Sequence, residues 1–137
     1  MILYADFRND VSRMGFVPVR GKATWVSTKG RDASIGLFAS LETKVSGLRG
    51  KIRVVAVAEG SVGRDVSWSG VRAAVSFGNT LAFALGVPVR GITIDGAWTM
   101  VQVTEALRAL PVGNAAAGER LLVTYVGEPN ITVPAAG

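Results

Sequence analysis

Three carboxylates stand where strand-forming runs give out: Asp6 near the end of the first run, Glu59 after Ile52–Ala58 and Asp95 after Val87–Ile94. Acidic side chains gathered at neighbouring strand ends can hold two Mg²⁺ or Mn²⁺ ions, and such a pair promotes phosphodiester hydrolysis. The composition narrows the other options. The 137-residue chain has no histidine and no cysteine. That removes a Ser-His-Asp triad, a cysteine nucleophile, thiolate zinc sites and imidazole metal ligands. Carboxylates, lysines, tyrosines and a hard metal ion are what remain for catalysis. The plain alternative is structural. Asp and Glu are common turn and cap formers at strand ends, and Asp95 is well placed to cap a following helix.

Elements must exist to position these groups. Met1–Phe7 and Val11–Val19 read as strands around an Arg8-Asn9-Asp10 turn, and Ala23–Ser27 as a third strand. A helix capped by Asp32 or Ser34 runs to about Val45. Its apolar positions Leu37, Phe38, Leu41, Val45 and Leu48 recur at helical spacing, and Gly47 and Gly50 end it. Ile52–Ala58 is a continuous, β-branched-rich run, which suits a strand buried on both faces of a parallel sheet. A helix over Gly70–Leu85, a strand over Val87–Ile94, a helix from about Gly96 to Leu110 and a strand over Arg120–Val126 complete the pattern. The order β-β-β-α-β-α-β-α-β calls for a mixed sheet with helices on its faces. It is the order of the ribonuclease H-like and actin-like ATPase folds. In such a sheet the first and fourth strands can be neighbours, which makes Asp6, Glu59 and Asp95 a candidate metal site. The corresponding activity is that of a nuclease of the Holliday-junction-resolvase type.

The Gly70–Leu85 helix carries two apolar stripes. Val71, Ala74, Val75, Gly78, Leu81, Ala82 and Leu85 form one, and Ala73, Phe77 and Ala84 a second. Ala74, Gly78 and Ala82 are four residues apart and leave a smooth strip for close approach. Either the domain's own sheet takes both stripes, or a partner takes one.

The segment Ser67-Trp68-Ser69-Gly70-Val71-Arg72 resembles the second half of the Gly-Pro-Gly-Ser-Phe-Thr-Gly-Val/Leu-Arg motif of the bacterial TsaB (YeaZ-like) proteins. These act in making threonylcarbamoyladenosine on tRNA. The opening Met1-Ile2-Leu3-Tyr4-Ala5-Asp6 is similar to that family's start, Met-Ile-Leu-x-Ile-Asp-Thr-Ser. The resemblance covers the first of the family's two usual subdomains, here residues 1–127, with 128–137 as a surface tail. It implies an actin-like (ribonuclease H-like) domain that works as a non-catalytic scaffold with no cofactor of its own. The implied partners are a TsaD-like catalytic paralogue, which holds the metal, and a TsaE-like ATPase. A homodimer of the isolated chain and indirect contact with tRNA go with the same picture. The implied partner surface is Leu37, Phe38, Leu41 and Val45 with Val71, Ala74, Val75, Gly78 and Ala82. The chain departs from the family at Phe7-Arg8, where the pattern has Thr-Ser, and at Arg64-Asp65-Val66, where it has Gly-Pro-Gly. Actin-like ATPases hold phosphate in the turn after strand one with small and hydroxyl residues, so Phe7 and Arg8 argue against nucleotide binding.

A net charge of +5 favours acidic partners such as RNA, but the basic residues are scattered rather than clustered. Trp25, Trp68 and Trp98 lie on three separate elements, which reads as packing more than as a stacking platform for bases. Polar residues and Pro88 interrupt the apolar stretch Ala73–Val89, so it is a poor membrane span. No secretion signal opens the chain, and cytoplasm is the expected location.

Overall fold

The β-branched run in the middle of the chain becomes the strand around which the sheet is built. In the computed structural model, which describes residues 1–29, 34–59, 68–94, 98–111, 113 and 120–122, this strand is β4 (Val54–Glu59). It lies between β1 (Ile2–Asp6) and β5 (Val89–Thr93) and is parallel to both. β2 (Val11–Val17) and β3 (Thr24–Lys29) extend the other side as an antiparallel meander. The five-stranded order is β3-β2-β1-β4-β5. The mixed α/β sheet with covering helices is the ribonuclease H-like, actin-like ATPase fold.

Strand pleating sends alternate residues to opposite faces, and each face has its own core. Leu3 and Ala5 of β1 and Val55 and Val57 of β4 meet α1 (Ser34–Lys44) and α3 (Trp68–Leu85) on one side. Ile2, Tyr4, Val54, Ala56 and Ala58 meet α4 (Met100–Arg108) on the other. Val54 through Ala58 are all at 0% exposure, so β4 is covered from both sides.

α3 sits close on the sheet because its inward residues are small. Val71, Ala74, Val75, Gly78 and Ala82 are buried, and a β-carbon added to Gly78 would run into Val57. The four-residue spacing of Ala74, Gly78 and Ala82 therefore serves packing of the helix on its own sheet. Phe77, half-buried, turns toward Phe7 with ring centroids 5.9 Å apart.

Several boundaries differ from the sequence reading. α1 stops at Lys44, and a separate short helix, α2 (Leu48–Lys51), follows Gly47, whose φ of 69° is the left-handed conformation that glycine takes cheaply. Gly50 lies inside α2 and does not end a helix. α3 already includes Ser69, so Ser69 is not its cap, and Ser67 lies outside the described residues. α4 begins at Met100 instead of Gly96. Its cap is Thr99, whose hydroxyl accepts from the Gln102 amide while the Gln102 side chain accepts from the Thr99 amide. That reciprocal pair satisfies two otherwise orphaned donors. Residues 120–122 form no strand, and the remainder of the expected Arg120–Val126 strand lies outside the described residues.

Gly78→Ala should cost about 1–3 kcal/mol by overpacking against Val57. The loss should appear as a lower urea midpoint with an unchanged slope. An unchanged midpoint would mean that α3 can move off β4 without penalty.

Candidate functional site

Asp6 closes β1 with its side chain on the α4 face, two residues on from Tyr4. Its carboxylate is fully engaged. Arg8 Nε donates to Oδ1 at 2.8 Å and Arg8 Nη2 donates to Oδ2 at 2.9 Å, a bidentate guanidinium–carboxylate pair. The Arg8 backbone N–H adds a third bond to Oδ1 at 3.1 Å, and the Tyr4 hydroxyl donates to Oδ2 at 3.3 Å. Arg8 Nη1 reaches the Ile94 carbonyl at 3.4 Å and so ties the turn after β1 to the far end of the sheet.

The pair is largely removed from water, with side-chain exposures of 7% for Arg8 and 13% for Asp6. Burial alone would make Arg8 easier to deprotonate. The hydrogen bonds and charge of Asp6 outweigh it and hold the guanidinium more firmly protonated than usual. Burial, reinforced by the Asp6 charge, pushes the Tyr4 phenol far above its ordinary range, so it remains a donor to Asp6. Around this pair lies a cavity of about 320 Å³, lined among others by Tyr4, Asn9, Arg13 and Trp98. With the Asp6 charge balanced by Arg8, exposed Arg13 gives the described lining of the cavity a net positive charge. It suits an anion better than a metal ion.

Glu59 goes the other way. β1 and β4 pair Ala5 with Val57, so Asp6 shares its face with Ala58, whereas Glu59 follows Val57 onto the α3 face. There its carboxylate lies over Gly91, the β5 partner of Val57. A β-carbon at position 91 would collide with it, so the glycine makes room for the side chain. The strand register therefore sends Asp6 and Glu59 to opposite faces of the sheet. Asp95 lies outside the described residues. Among the described residues no three acidic, histidine or cysteine side chains are grouped to hold a metal. Glu59 Oε1 is buried with no hydrogen-bond partner among the described residues, and burial raises its pKa from the ordinary glutamate value.

The expected helix surface divides just as sharply. Leu37, Phe38 and Leu41 of α1 and Val71, Ala74, Val75, Gly78 and Ala82 of α3 are buried against the chain's own sheet, and Val45 packs at the edge of that core. These residues are core, because the small-residue stripe is what lets α3 approach β4. A large side chain at Gly78 would therefore test folding and not pairing. Of the motif residues in the first turns of α3, Gly70 joins Val71 in being buried, Trp68 is half-buried, and Ser69 and Arg72 are exposed. What faces outward is the second stripe. Ser34, Ile35, Ala73, Phe77, Leu81 and Ala84 line an open groove of about 420 Å³ between the start of α1 and α3. Ile35 is 79% exposed. The three tryptophans are accounted for separately. Trp25 lies over Gly15 and edge-on to Tyr4, Trp98 packs at the α4 core, and Trp68 opens α3.

No protein-family model matches the sequence, and no curated protein matches it. Solved structures do. YeaZ from Pseudomonas aeruginosa overlays with a TM-score of 0.58 at 20% identity, covering 67% of this chain and 44% of that one. The fold is YeaZ-like. An uncharacterized protein with similarity to peptidase YeaZ, also from Pseudomonas aeruginosa, gives the same TM-score of 0.58 and identity of 20%, over 67% of this chain and 42% of that one. Thermus thermophilus RuvC overlays more loosely, with a TM-score of 0.43 at 21% identity, over 67% of this chain and 63% of that one. The matched region spans less than half the length of either of these two Pseudomonas aeruginosa chains.

Two substitutions report on the two carboxylates. Arg8→Ala leaves a largely buried Asp6 carboxylate without its guanidinium and should cost about 3 kcal/mol at pH 7 in chemical denaturation. A loss within error of zero would show that the pair is dispensable. For Glu59 the folded pKa is raised, so the native chain holds its proton at a pH where the unfolded chain has released it. Stability therefore falls as pH rises from the unfolded pKa through the folded one. Glu59→Gln should be more stable than the parent at pH 7 and equal to it below the ordinary glutamate pKa. A parent at least as stable as the variant at pH 7 would contradict this.

Proposed function

We propose that this chain is a TsaB-like, non-catalytic partner subunit in the threonylcarbamoyladenosine modification of tRNA. It pairs with a TsaD-like enzyme, and a TsaE-like ATPase belongs to the same assembly. tRNA is met through the complex. The observation that carries this reading is the largely apolar groove between α1 and α3, uncharged among the described residues, with exposed Ile35 at its rim. Such a surface on a YeaZ-like fold suits an apolar helix surface of a protein partner. The state of Asp6 supports the non-catalytic part. Its oxygens are taken by Arg8, Tyr4 and a backbone amide at the place where actin-like ATPases hold phosphate. The chain has no helix, among the described residues, that is long and apolar enough to cross a membrane.

A metal-dependent nuclease of the Holliday-junction-resolvase type is the less favoured reading, because its Asp6 and Glu59 point to opposite faces of the sheet.

Light scattering of the purified protein, alone and mixed with the TsaD-like protein of the same organism, tests the proposal. A defined 1:1 or 2:2 complex is expected. Ile35→Asp should abolish it while changing stability by no more than about 0.5 kcal/mol, as exposed substitutions do. Absence of a complex, or a complex indifferent to Ile35→Asp, would remove the reading. Metal-dependent cleavage of branched DNA that is lost in Asp6→Asn would put the nuclease in its place.

A further inference from the structure

One side chain of α3 grips the main chain of a residue far along the sequence. Asn79 Nδ2 donates to the Leu121 carbonyl at 2.8 Å, and the Leu121 N–H donates to Asn79 Oδ1 at 2.7 Å. A carboxamide matched to both polar groups of one residue does what a neighbouring strand would do. It fixes backbone without reading the side chain. Leu121 is also packed against the α1/α3 core, while Leu122 is 68% exposed.

The grip lies beside the proposed docking groove. Asn79, Arg120, Leu121 and Leu122 line a second depression on α3 together with Ser76 and Thr80. Ser76 and Thr80 also line the groove between α1 and α3. The two sites therefore share a wall. A segment seated at Asn79 limits how far a partner can spread across α3.

We propose that residues 120–122 are an intramolecular strap latched by Asn79, and that release of the strap widens the α3 surface open to the partner. The regulatory half of this proposal rests on the TsaD-like pairing proposed above; the latch itself does not. The chain provides both the receptor, a lone carboxamide on an exposed helix flank, and its occupant, the Leu121 backbone. Binding of the partner and seating of the strap are linked, since each favours a different state of one wall.

Trypsin reads the latch directly, because the Arg120–Leu121 bond lies within the strap. Asn79→Ala should raise the rate of cleavage there about tenfold, the effect of losing hydrogen bonds of this kind. Leu121→Gly, which leaves α3 intact and removes the apolar anchor, should act in the same direction. The thermal transition of each variant shows that the domain remains folded. The affinity of each variant for the TsaD-like protein, titrated by light scattering, should be tighter than that of the parent by about the same factor. Unchanged cleavage in both folded variants would overturn the latch. Faster cleavage with unchanged affinity would overturn the regulation. No complex with parent or variants would remove the pairing and the regulation together, while the cleavage rates still decide the latch.

Discussion

Everything in this domain hangs on a strand that must be covered twice. The residues Val54–Ala58 of β4 expose no surface at all, which requires apolar cover on each face of the sheet. Fully burying a valine contributes about 1.5–3 kcal/mol, so the three valines of β4 make two-sided cover the favoured state. α3 meets one face and α4 the other. The meander β1–β2–β3 extends the sheet beyond β4, where α1 completes the first layer. The small residues of α3 follow from the same constraint. A helix laid directly over β4 has no room for bulk at position 78, where even one β-carbon would meet Val57.

The same strand separates the two carboxylates. One residue of offset in the β1–β4 pairing decides whether their side chains meet or diverge. With Ala5 opposite Val57, Asp6 looks toward α4 and Glu59 toward α3. Each then finds its own environment. Asp6 gains a guanidinium, a phenol and an amide, so its charge is compensated. Glu59 has a buried oxygen without a partner among the described residues, and its acid form is favoured. A polar end of the sheet that might have been one site is two unrelated ones. Among the described residues the cavity beside Asp6 has a cationic lining, because Asp6 is already paired with Arg8.

α3 also shows how a helix with two apolar stripes can use one for its own sheet and leave the other partly open. Its inner stripe is consumed by the sheet. Its outer stripe, through Ala73, Phe77 and Ala84, lines the open groove beside the start of α1, with Phe77 also reaching Phe7. Asn79 sits between these roles, because its carboxamide holds residue 121 at the border of the open groove. The surface available to another molecule is therefore set by what the chain itself places on α3.

The sequence alone determined the order of β1 to β5 and of α1, α3 and α4, but not the separate helix α2. β-branched runs marked the strands, the Leu37–Phe38–Leu41 spacing marked α1, and the unbroken apolar run at β4 implied a strand with two covered faces. Those signals are local, since hydrophobic period depends on the residues of one segment. The Thr99/Gln102 capping box was passed over in favour of Asp95, although Thr-x-x-Gln before an apolar-periodic run is a sequence-level start signal. Tertiary structure alone decided the rest. Which stripe of α3 became core depended on the sheet beneath it, and both stripes are apolar in sequence. The bidentate Arg8–Asp6 pair needed the chain to turn back at β1, and its anchor at Ile94 lies 86 residues away. Asp6 and Glu59 were separated by strand register, a relation between two segments that neither segment encodes by itself.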